Sequence, residues 1–150
     1  MAKILFNKLG LSKKQESKQI LFGESTIEVL QYLDIAAKSS LVNAAVRGAV
    51  IGGVVDEVLL DAYLHLFIVE KYTNISFTPK QRENLLDTFD LMESNQFFNI
   101  IIAALPDGEY EYIFTMAKKL MNNLNEYNKN IVSIAGNPEE MIAKIVGQTK

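Results

Sequence analysis

Residues 56–73 read DEVLLDAYLHLFIVEKYT, the densest apolar stretch of the chain. From Val58 to Val69, ten of twelve residues are apolar, and only Asp61 and His65 interrupt them. The run is too long for a typical single strand, so it reads as a helix buried around most of its circumference. Fully burying seven of its large side chains contributes roughly 10–20 kcal/mol before ordering entropy is subtracted. Other elements must therefore pack around it, and Asp56 is placed to cap its N-terminus.

On the N-terminal side, Asp34 is a good cap for a first helix, with Ile35, Leu41, Val42, Ala45 and Val46 as its inner face. Small residues recur four apart at Ala44, Gly48 and Gly52, and again at Ala45, Ala49 and Gly53. In a soluble helix such a ladder reads as close internal packing or as termination at Gly52-Gly53. Further upstream, residues 19–32 alternate with period two around Gly23-Glu24-Ser25, which predicts a small β-hairpin leaning on the helices. Residues 1–18 read as an arm and linker. Ile4, Leu5, Phe6, Leu9 and Leu11 form a short apolar patch, and polar residues 12–18 tether it. Such a peptide cannot build a core alone, so it either folds back on the body or docks on another chain.

On the C-terminal side, Thr78-Pro79-Lys80-Gln81 is a helix start of capping-box type, predicting a helix to about Glu93 with Leu85, Leu86, Phe89 and Met92 inward. Ser94 or Asn95 then opens a short apolar helix from Phe97 to Leu105, which Pro106 ends. Asp107 caps the longest helix, whose stripe runs through Ile113, Phe114, Ala117, Leu120, Met121, Leu124 and Tyr127, with Ile131 and Ile134 beyond. Gly136 ends it, and Asn137-Pro138-Glu139-Glu140 starts a final helix carrying Met141, Ile142, Ile145 and Val146. The expected fold is mainly α: a compact bundle of five to six helices around a central buried helix, with a small N-terminal hairpin. Residues 19–150 form one domain.

The net charge of −3 hides an asymmetry: residues 1–20 carry +4 and the remainder −7. A basic arm on an acidic body suits an acidic partner or a second copy of the same body. Its five lysines, without arginine or interleaved aromatics, make a poor nucleic-acid footprint. The absence of cysteine removes disulfides, thiol catalysis and thiolate metal sites. The N-terminus lacks the apolar length of a signal peptide, and no run approaches the roughly 20 residues that span a bilayer.

Chemistry has few candidates. Glu57, Asp61 and His65 fall four apart on one helix face, where two carboxylates and an imidazole can hold a hard divalent ion. The plainer reading is a polar seam or an edge ion pair. Asp107-Gly-Glu109-Tyr-Glu111 is an acidic helix start favoured by the dipole, and its spacing is wrong for an EF-hand loop. No phosphate-binding loop or nucleophile elbow occurs. Catalytic, cofactor and metal residues are accordingly expected to be none. Among the tyrosines, Tyr112 lies off the inner stripe of the long helix and suits a protein interface. The candidate partner-binding residues are thus Ile4, Leu5, Phe6, Leu9, Leu11 and Tyr112.

Residues 27–42 (IEVLQYLDIAAKSSLV), 59–81 (LLDAYLHLFIVEKYTNISFTPKQ), LMESN at 91–95 and ALPDGEYEYIF at 104–114 carry a resemblance. They resemble small proteins encoded in the virion-morphogenesis regions of phages that infect low-GC Gram-positive bacteria, over roughly residues 19–130. The lysine-rich arm and Gly52-Gly53-Val54-Val55 depart from that pattern, and no functional residues carry over. The resemblance implies a particle component (minor capsid, neck or tail protein) contacting other phage proteins or copies of itself, in the virion or, during assembly, the host cytoplasm. A tail-assembly chaperone or scaffold absent from the finished virion is the alternative. A metal-binding module or enzyme at Asp61 and His65 is the third reading.

Overall fold

A computed structural model describes the backbone of residues 1–135 and the side chains of residues 1–130. Two strands, β1 (Ser17–Phe22) and β2 (Ser25–Leu30), form an antiparallel hairpin across Gly23-Glu24. Then come α1 (Ile35–Gly48), a miniature hairpin of β3 (Val50–Ile51) and β4 (Val54–Val55), and α2 (Glu57–Tyr72). The rest is helical: α3 (Pro79–Glu83), α4 (Leu85–Ser94), α5 (Phe97–Ala104) and α6 (Glu109–Ala135). The fold is mainly α, as the periodicities predict.

Helix α2 is the centre. Every residue from Leu59 to Glu70 is buried or half-buried. Leu60, Leu64, Ile68, Val69 and Tyr72 belong to the main core with Leu41, Val42, Ala45 and Val46 of α1 and Ile113, Ala117 and Met121 of α6. Ala62 and Leu66 turn to a smaller cluster with Leu85 of α4. Burial on two faces explains why the sequence of α2 shows so weak an amphipathic period. Asp56 caps it by accepting from the Leu59 amide at 2.9 Å, and Asp34 caps α1 from the Ala37 amide at 2.8 Å.

The N-terminal hairpin leans on this core through Ile27 and Val29, both buried. A bridge between Val29 and Thr73, and a bond from the Glu28 amide to Asn74 Oδ1 at 3.1 Å, fasten β2 to the end of α2. Pairing begins at Ser17, inside the expected linker, because Ser17 faces Leu30 across the hairpin.

Several expectations are corrected. Helix α1 ends at Gly48, not at Gly52-Gly53. Those two glycines, at φ 58° and 81°, instead form the turn of the β3–β4 hairpin, a conformation that β-carbons disfavour. Of the small-residue ladder, Gly48 has a packing role: a β-carbon there would lie 2.8 Å from the ring of Tyr63. The capping box at Thr78 forms as expected, but its helix breaks at Asn84 into α3 and α4. Ile35 and Leu86 point outward, and Tyr127 leaves the inner stripe of α6 exposed. Gln96, in the left-handed region at φ 51°, precedes α5 where Ser94 or Asn95 was expected. Helix α6 starts at Glu109, two residues past the expected cap Asp107. Gly136 and the final helix lie outside the described residues, as do the side chains of Ile131 and Ile134.

Candidate functional site

The most organised polar centre among the described residues joins three helices and a loop around one oxygen atom. Lys38, on the second turn of α1, follows the spacing of Leu41, Val42 and Ala45, which carries its long stem into the core. Its ammonium lies 2.8 Å from Oε1 of Glu109, at the start of α6, with side chains 4% and 10% exposed. The same oxygen accepts from the Tyr72 hydroxyl at 2.7 Å and from the Leu33 amide at 3.3 Å. Lys38 also lies over the ring of Tyr32 at 4.3 Å and that of Tyr112 at 5.2 Å, within cation–π range. Burial, then the bond to Glu109, pushes the Tyr72 hydroxyl well above the usual phenol range, which keeps it a proton donor.

Beside this centre runs a groove of about 940 Å³ between arm and body, bordered by Phe6, Leu11, Lys13, Lys14, Gln31, Tyr32, Pro106 and Glu109. The Gln31 side chain donates to the Ala104 carbonyl at 2.9 Å and fixes the body wall of the groove. The arm opposite is loose. Phe6–Leu9 form one 3-10 turn, and Ile4, Leu5, Phe6, Leu9 and Leu11 are between 52% and 76% exposed. Phe6 and Leu11 therefore border the groove without filling it. Tyr112, 46% exposed, borders another hollow with Gly108, Glu111 and Thr115. The six candidate contact residues are thus all exposed. Tyr110 is different: its ring packs against Phe98 and Phe114, each at 5.7 Å between centroids.

The face bearing Glu57, Asp61 and His65 divides. Lys118 of α6 takes the acids, 3.5 Å from Glu57 and 3.9 Å from Asp61. His65 sits against Phe98 and Phe89, with ring centroids 3.8 and 5.0 Å away. Its Nδ1 lies 2.6 Å from the Asp61 carbonyl, which only accepts, so Nδ1 carries the hydrogen. Nε2 faces Glu93 at 3.6 Å. Among the described residues, no three His, Asp or Glu side chains converge as a metal ion requires. No described helix is long and apolar enough to cross a membrane.

His65 makes stability depend on pH. Burial lowers its pKa below 6.5, outweighing the raising effects of the Asp61 carbonyl bond and the Glu93 and Asp61 carboxylates. The unfolded chain then binds a proton that the folded chain resists, so stability falls as pH drops below 6.5. The thermal midpoint should decline between about pH 7.5 and about pH 5.5, and His65→Gln should flatten that decline. An equal decline in both proteins would show that His65 is not its source.

Comparison with protein-family models, with curated proteins and with solved structures finds no match. The site is therefore read from its own chemistry. Sequence spacing alone does not mark Lys38, Tyr72 and Glu109 as a group, and Glu109 there reads as one acid of a dipole-favoured helix start. A signal did exist for Lys38, since positions 38, 41, 42 and 45 share one helical face. Nothing local pairs it with an acid 71 residues away.

Proposed function

We propose that this protein is a non-enzymatic structural component of a bacteriophage particle, in the minor capsid, neck or tail, working through contacts with other proteins. The observation that carries the reading is the arm: five large apolar side chains, all exposed, on a segment rich in lysine. An apolar peptide left in water is an incomplete structure, and a partner surface completes it. The resemblance of residues 19–130 to phage morphogenesis proteins supplies the setting. The Lys38–Glu109 centre supports the same reading in another way. With its charges already paired and its tyrosine held protonated, it acts as a clamp for the body that presents the arm.

Mass spectrometry of washed virions tests the proposal. A constant copy number per particle is expected. Absence from intact particles, with assembly failing when the gene is deleted, would replace this reading with that of an assembly chaperone or scaffold.

A further inference from the structure

Two segments of this chain carry charge of a single sign. Residues 1–14 hold four lysines and no acid, whereas residues 83–117 hold seven carboxylates and no lysine or arginine. Within that acidic segment, α4 buries Leu85 and Met92 and turns a different face to solvent. Leu86, Asp87, Asp90 and Leu91 share that outer face, one helical turn apart in pairs. The leucines are 49% and 64% exposed. Apolar side chains beside carboxylates form the counterpart of the arm, where apolar side chains alternate with lysines.

We propose that the arm of one molecule docks on the outer face of α4 of a second copy of this chain. This rests on the reading above, that the arm is an interaction element, and names its partner. Both complementary surfaces belong to the same chain, so a second copy supplies what each lacks. Among the described residues neither the arm lysines nor Asp87 and Asp90 join an ion pair. The ion pairs among the described residues use Lys38, His65, Arg82 and Lys118, and none uses an arm lysine. The arm lies beside Gln31, Tyr32 and Pro106, with its apolar side chains still exposed. Without the arm, two acidic bodies repel; with it, opposite charges steer the encounter and the leucines are buried. Because arm and α4 are different patches, the contact is heterologous, closing by reciprocal exchange or continuing from copy to copy.

Sedimentation velocity of the full chain over a range of concentration and salt tests this. The chain should self-associate at low ionic strength and dissociate as salt screens the contact. Asp87→Lys with Asp90→Lys should weaken association roughly tenfold or more, and so should Lys8→Glu, Lys13→Glu and Lys14→Glu together. Mixing the two variants should restore a complex, because the reversed arm then meets the reversed face. Circular dichroism of these exposed-site variants confirms that each is folded. A chain that stays monomeric at low salt overturns the inference, as does association indifferent to both reversals or a mixture that fails to pair. A monomeric chain still found in virions sinks this inference alone. A self-associating chain missing from virions sinks the particle reading alone.

Discussion

Glu109→Gln should lower the free energy of unfolding by about 3–5 kcal/mol, one of the largest single effects expected in this protein. The substitution keeps the shape and leaves an acceptor for the Tyr72 hydroxyl, but it removes the charge that balances Lys38. That lysine side chain is 4% exposed, so water cannot take over. Lys38→Met should be similarly costly, because it strands the carboxylate of Glu109 beside Tyr72 and the Leu33 amide. The double variant should recover much of the loss. A buried pair contributes little net stability, since its mutual attraction is offset by desolvation, while half of a pair leaves the desolvation uncompensated. Chemical denaturation of the two single variants and the double variant measures the coupling. Additive losses would mean that the two side chains do not share one buried environment.

Leu64→Ala should cost a comparable 2–5 kcal/mol, by lost transfer energy plus the cavity left behind. Leu64 is 2% exposed in the main core, the larger cluster, which also takes in side chains of α1 and α6. Leu66→Ala should cost less, although Leu66 is equally buried, because among the described residues its cluster holds just two other buried members, Ala62 and Leu85. Val58→Ala, at 61% exposure, should change stability by no more than about 0.5 kcal/mol. The order Leu64, Leu66, Val58 tests the two-faced burial of α2. Equal losses at all three positions would contradict it.

Much of this architecture could be read along the chain because its signals are local. Asp34, Asp56 and Thr78 cap helices from hydrogen bonds spanning three residues, and the period-two run ending in Gly23-Glu24 needs only its own turn. Where the fold departs from that pattern, a distant contact or a break in a helix intervenes. Gly52-Gly53 became a hairpin turn instead of a helix end, and Asn125 of α6 holds the adjoining strand by accepting from the Val55 amide at 2.7 Å. A continuous helix would carry Leu86 inward, but the helix breaks at Asn84 and Leu86 is exposed.

The exposed arm, the helical body and the dominance of residues 56–73 follow from composition and periodicity, because burial of apolar surface is set by pattern and needs no particular partner. Tertiary structure alone decided that Lys38, Tyr72 and Glu109 meet at one oxygen, and that the Glu57–Asp61–His65 face divides between Lys118 and two phenylalanines. Hydrogen bonds and ion pairs are directional and short-ranged, so they depend on which helices adjoin, and spacing along the chain does not carry that information.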